Sequence, residues 1–108
     1  MTMNKLEETV LKESILSRLQ TVIDPETGAD VIRMQLVLDL QVDDGGVVRY
    51  TFRPSSPVCP IAVYLAKEIK KAVAEVPGVE RQIITVVDYI HADKLTELIN
   101  QESETPQA

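Results

Sequence analysis

The stretch Pro54-Ser55-Ser56-Pro57-Val58-Cys59-Pro60 holds three of the chain's six prolines and its only cysteine. Two hydroxyls and a thiol this close together can share hydrogen bonds, bind a soft metal or present a nucleophile. Cys59 falls at or just before the first turn of an expected helix. Pro60 suits the first helical position, because the N–H it lacks would have no partner there anyway. A thiol so placed meets the positive end of the helix dipole and free backbone N–H groups. Both favour the thiolate, the form that attacks electrophiles and binds soft metals. Ser55 and Ser56 can donate hydrogen bonds to the sulfur or to whatever it holds. The ordinary alternative is structural: Cys59 as a buried small hydrophobe and a serine as the helix N-cap.

Two further clusters carry ligand-type side chains. In Asp24-Pro25-Glu26, two carboxyls one residue apart can position a metal or tune the thiol, although Asp-Pro is also common turn chemistry. Asp88-Tyr89-Ile90-His91-Ala92-Asp93 offers one histidine and two carboxyls. A single histidine without a second ligand at metal spacing is a weak signal, and a strand end running into a helix cap explains the run as well. Asp43-Asp44-Gly45-Gly46 lacks the twelve-residue pattern of a calcium loop and reads as a hairpin. The chain has no glycine-rich phosphate loop, no Ser-His-Asp set and no CxxC pair.

These residues must be held by a small set of elements. Residues 4–22 have an apolar stripe, Leu11, Ile15, Leu19 and Val22, at helical spacing. Asp24-Pro25 and Gly28 end that helix and open a connection over 24–33. Residues 35–42 and 47–52 read as strands joined by a tight turn at 43–46, where Gly45 and Gly46 accept positive φ. Pro54 and Pro57 end the second strand. Residues 60–76 form a second amphipathic helix, closed by Val76-Pro77-Gly78. Residues 82–90, apolar on both faces, predict a third and central strand, and 92–100 a final short helix. The order helix-strand-strand-helix-strand-helix predicts an α+β domain. Its three-stranded mixed sheet has helices mainly on one face: a hairpin forces antiparallel pairing, and a helical crossover permits parallel pairing. One domain over 1–101 and a flexible polar tail over 102–108 are expected.

Composition narrows the function. With 108 residues the chain has room for one modest core. A formal net charge of −6 argues against a general nucleic-acid or anionic-membrane surface. One cysteine cannot make an internal disulfide. The N-terminus lacks a continuous apolar signal region, and no apolar run is long enough to span a bilayer. The expected setting is therefore soluble and cytoplasmic.

Taken in order, "VIDPETG", the hairpin at "DDGG", "SSPVCPIAVYLAKEIKKAV" and "VPGVE" resemble the metal–sulfur cluster biosynthetic family. Its relatives include the SufT and PaaD proteins and the eukaryotic cytosolic iron–sulfur assembly factor of the same domain type. The resemblance covers roughly residues 8–90. It implies the iron–sulfur-assembly type of α/β domain. The family's Asp-Pro-Glu falls on Asp24, Pro25 and Glu26. Its Thr-Thr-X-X-Cys-Pro loop falls on Ser55, Ser56, Cys59 and Pro60, with serines for threonines. Cys59 thus matches the family's reactive cysteine. The chain departs from the family at Thr27, where an aliphatic residue is usual, and at Gln35, where a glycine usually precedes the first strand. "DYIHADKL" also lacks the family's tryptophan-containing segment.

The resemblance implies a non-enzymatic maturation factor that assists assembly, transfer or insertion of iron–sulfur clusters. In that role Cys59 is the metal or cluster ligand, and Asp24, Glu26, Ser55 and Ser56 shape its pocket. Clusters take about four protein ligands, so one cysteine implies a transient cluster or iron. Such cargo would be shared across a homodimer or with assembly proteins and apo clients; a further option is that Cys59 is only a docking or persulfide-accepting group. An exposed, weakly held thiol would suit transfer. Two alternatives are an accessory module of a PaaD-like multicomponent oxygenase and a thiol enzyme with Cys59 as nucleophile. The second would need His91, far along the chain, as its base.

Overall fold

A computed structural model describes residues 5–101; the expected tail at 102–108 lies outside the described residues. The elements run α1 (Lys5–Leu19), β1 (Val37–Asp43), β2 (Val47–Phe52), α2 (Ala62–Ala74), β3 (Arg81–Val86) and α3 (Ala92–Gln101), with a 3-10 turn at Asp44–Gly46 between β1 and β2. This is the α+β order read from the sequence.

In the sheet, β2 pairs antiparallel with β1 and parallel with β3. The strand order is β1-β2-β3. The expectation of a central third strand is therefore corrected: β2 is central and β3 is an edge. The second neighbour of β3 is a helix instead of a strand. Asn100 on α3 accepts from the Ile84 N–H at 2.9 Å and donates to the Ile84 carbonyl at 2.7 Å, while the Thr96 hydroxyl accepts from the Val86 N–H. These side chains supply the ladder partners that a fourth strand would give and leave less edge free for pairing. The other edge, β1, is broken by a register shift between Leu38 and Gln41, where Asp39 adopts φ 54°. Such a bulge blunts an edge.

The period of two places Val48, Tyr50 and Phe52 opposite Gln82, Ile84 and Val86 on one buried face. Leu11, Ile15 and Leu19 of α1 join them in the core, as do Leu65, Ala66, Ile69 and Val73 of α2 and Leu95 and Ile99 of α3. Each fully buried Leu, Ile or Val contributes about 1.5–3 kcal/mol relative to exposure. One polar relay crosses this face. The Tyr50 hydroxyl donates to Gln82 Oε1 at 2.7 Å, and Gln82 Nε2 donates to the Lys70 carbonyl at 2.9 Å. At the hairpin, Gly46 has φ 81°, and a Cβ there would lie 2.2 Å from the Gly78 carbonyl. Only glycine fits so close an approach.

Several element ends differ from expectation: α1 stops at Leu19, short of Val22, and β1 starts at Val37. β3 stops at Val86, and 88–91 turn into α3, although the apolar run continues to Ile90. α2 starts at Ala62, with Ile61 as N-cap and no side-chain cap. Pro60 is thus not in the first helical turn, and neither serine caps the helix.

Candidate functional site

The thiol loop leaves the sheet where β2 ends. The Arg53 N–H donates to the Leu36 carbonyl at 2.8 Å, and Pro54 is buried. Ser56 folds the loop back on itself. Its Oγ accepts from the Val58 N–H at 3.1 Å, and its carbonyl accepts from the Cys59 N–H at 3.2 Å. The Cys59 carbonyl then accepts from the Ala62 N–H at 3.3 Å. Ser55 is exposed and Ser56 half-buried. The Cys59 side chain turns inward, 3 % exposed, within the apolar core. The expectation of an exposed thiol is thus corrected. With the Val58 and Cys59 N–H groups bonded to Ser56, the small apolar-packing side chain can be drawn inside while Ser55 stays out.

The Asp24 turn is equally closed. The Asp24 N–H donates to the Ala29 carbonyl at 2.9 Å, its carbonyl accepts from the Gly28 N–H at 2.8 Å, and its Oδ1 accepts from the Glu26 N–H at 2.7 Å. This is turn chemistry of the Asx kind. Turn chemistry does not account for the burial, however: Asp24 is 1 % exposed and its Oδ2 has no hydrogen-bond partner. An unpartnered buried polar atom marks strain, catalysis or a bound group. Glu26 is exposed. The structure gives no hydrogen bond joining Asp24 or Glu26 to the thiol loop among the described residues.

An open groove of about 840 Å³ lies beside the loop, at the end of the sheet where the parallel strands β2 and β3 finish. Ligand sites favour that end of a parallel pair. Ser55, Ser56, Pro57 and Val58 form one wall, Gln35 and Leu36 a second, and Asp88, Tyr89 and Ile90 a third. The Ile90 N–H donates to the Pro57 carbonyl at 2.8 Å and ties the first wall to the third. Gln35 and Asp88 both hold left-handed backbone, with φ of 59° and 54°. Gln35 stands where the resembled family usually has glycine, and positive φ supplies the physical reason for glycine there. That departure was the one sequence signal pointing to this wall; nothing in the local pattern marked Arg53 or Val58.

His91 is exposed, its ring 6.1 Å from that of Tyr89 in an edge-on contact. Among the described residues no three His, Cys, Asp or Glu side chains gather to hold a metal ion.

Residues 12–86 match the family described as iron–sulfur cluster assembly protein. The chain belongs to that family. It is 38 % identical over 80 residues to an Fe-S protein maturation auxiliary factor, YitW, of Bacillus subtilis, covering 74 % of this chain and 78 % of that one. It is 30 % identical over 74 residues to an iron–sulfur cluster carrier protein of Synechocystis, covering 68 % of this chain but 21 % of the carrier. Among solved structures, a DUF59 domain from Bacillus anthracis aligns with TM-score 0.71 and 29 % identity, covering 78 % of this chain and 80 % of that one. Family membership sets the work of this chain in iron–sulfur protein maturation, as the sequence resemblance implied. The oxygenase-accessory alternative is not favoured. The relatives are named as maturation factors and carriers, not as enzymes.

Proposed function

We propose that this protein is a non-catalytic maturation factor that assists assembly, transfer or insertion of iron–sulfur clusters in client proteins. It acts as a single cytoplasmic domain over residues 1–101. Its cargo is a transient cluster or iron, with Cys59 as the one soft ligand. Its partners are assembly proteins or apo clients, which supply the remaining ligands, or a second copy of the chain. Ser56 holds the loop, and Ser55 and Ser56 present hydroxyls to the partner. Asp24 and Glu26 complete the working site.

The observation that carries this reading is the Ser-Ser-Pro-Val-Cys-Pro loop, closed by its own hydrogen bonds over a buried thiol beside an open groove. A thiol kept from solvent is protected from oxidation and exchange until a partner opens the loop. A single ligand also lets cargo leave easily.

The test is anaerobic cluster reconstitution of wild type and Cys59→Ala, read by visible absorption and by iron and sulfide counts, followed by transfer to an apo client. Uptake and transfer by wild type, both lost in the variant, are expected. Client activation by Cys59→Ala at the wild-type rate under iron limitation would remove the thiol from the function.

A further inference from the structure

We infer that two copies of this chain associate face to face through the groove beside the thiol loop, with Arg53 of each copy opposite Asp88 of the other. Three features of that surface carry the inference. The first is apolar: Val58 and Ile90 are 68 % and 65 % exposed, and the bond from the Ile90 N–H to the Pro57 carbonyl sets them on neighbouring segments of the groove rim. Large side chains this exposed beside a concave surface mark an interaction face.

The second feature is charge. Arg53 and Asp88 line the same groove, both are exposed, and neither makes an ion pair among the described residues. The ion pairs Arg18–Glu75 and Arg49–Asp43 lie elsewhere. A surface suited to an acidic or a basic partner presents one sign of charge. This groove presents one unpaired charge of each sign. A two-fold interface requires the same patch to complement itself. Here a rim faces a groove, and a cation faces an anion, when a second copy is turned about a two-fold axis.

The third feature is preorganisation. Proline at 54 and 57, the internal bonds of Ser56 and the tied turn at Ile90 fix the walls before any partner arrives. Fewer groups must then be ordered on association. Such a dimer would set two Cys59 loops at one interface and double the thiols available to a cluster. That last step rests on the cargo reading above; the interface does not.

The test is sedimentation velocity from low micromolar to submillimolar protein at physiological ionic strength. Wild type should show a concentration-dependent dimer. Arg53→Asp and Asp88→Arg should each weaken Kd by at least about tenfold, because a two-fold axis sets every reversed charge against a like charge twice. Asp88→Asn, a residue that tolerates left-handed backbone, should weaken it less. Mixing Arg53→Asp with Asp88→Arg should restore a one-to-one complex, since each charge again meets its opposite. Circular dichroism verifies that these surface variants fold. A wild type that stays monomeric, reversals that leave Kd unchanged, or a mixture no tighter than its components would each overturn the interface. Cys59→Ala should dimerise normally. Dimers that never take up a cluster would sink the cargo reading alone, and Cys59-dependent uptake by a strict monomer would sink the interface alone.

Discussion

Replacing Asp24 by alanine is expected to leave stability within about 1 kcal/mol of wild type and to remove most client maturation. The near-neutral stability follows from two opposing terms. The substitution loses the bond that Oδ1 accepts from the Glu26 N–H at 2.7 Å. Hydrogen bonds to carboxyl groups contribute about 1.5–3 kcal/mol. Glu26 is exposed, so water takes over its N–H and the loss falls at or below the low end of that range. Against this, Oδ2 is buried without a partner. Leaving such an atom unsatisfied carries a desolvation penalty of about 1–3 kcal/mol, which alanine relieves. Urea unfolding with an unchanged m-value measures the difference. A loss of about 3 kcal/mol or more would show that Oδ2 is partnered in the folded protein and refute the reasoning, since breaking a satisfied buried charged pair costs that much. Unchanged stability together with full maturation activity would remove Asp24 from the working site.

Other outcomes follow from single positions. Gln35→Gly should stabilise the fold by about 0.5–1 kcal/mol: left-handed backbone costs a non-glycine residue about 1–2 kcal/mol, and the added unfolded-state freedom of glycine returns part of that. Any destabilisation in the same urea assay would contradict the strain at φ 59°. Asn100→Ala should cost about 2–4 kcal/mol, because it deletes the bonds to both backbone groups of Ile84 and to the Thr96 carbonyl. Amide exchange at Ile84 should rise with it, and unchanged protection there would show that water serves the β3 edge equally well. The Arg18 hydrogen bond, reinforced by its charge, holds the Glu75 carboxyl below its ordinary value of 4.5. Its contribution is therefore fully present above that value and fades as pH falls through the lower folded-state pKa. Both side chains are about half exposed, so the effect on stability is small. In Arg18→Ala, an NMR titration of Glu75 should move up toward 4.5, and an unmoved titration would deny the pairing its role.

The parts that local chemistry controls were legible before folding. The stripe Leu11, Ile15 and Leu19 placed α1 against a core, because residues four apart share a helix face. Gly45 and Gly46 determined the hairpin, since few residues accept their positive φ. The order of short motifs around Cys59 identified the family. Tertiary structure alone decided which strand lies in the middle. The run after Arg81 is apolar whether its neighbour is a strand or a helix, and only the approach of Asn100 and Thr96 makes β3 an edge. Tertiary structure also drew Cys59 and Asp24 inside, because burial is a property of what the rest of the chain packs around a residue. The groove, too, exists only in the fold: Gln35, Arg53 and Asp88 come from three separate segments, and their meeting at one end of the sheet depends on long-range pairing that no local pattern encodes.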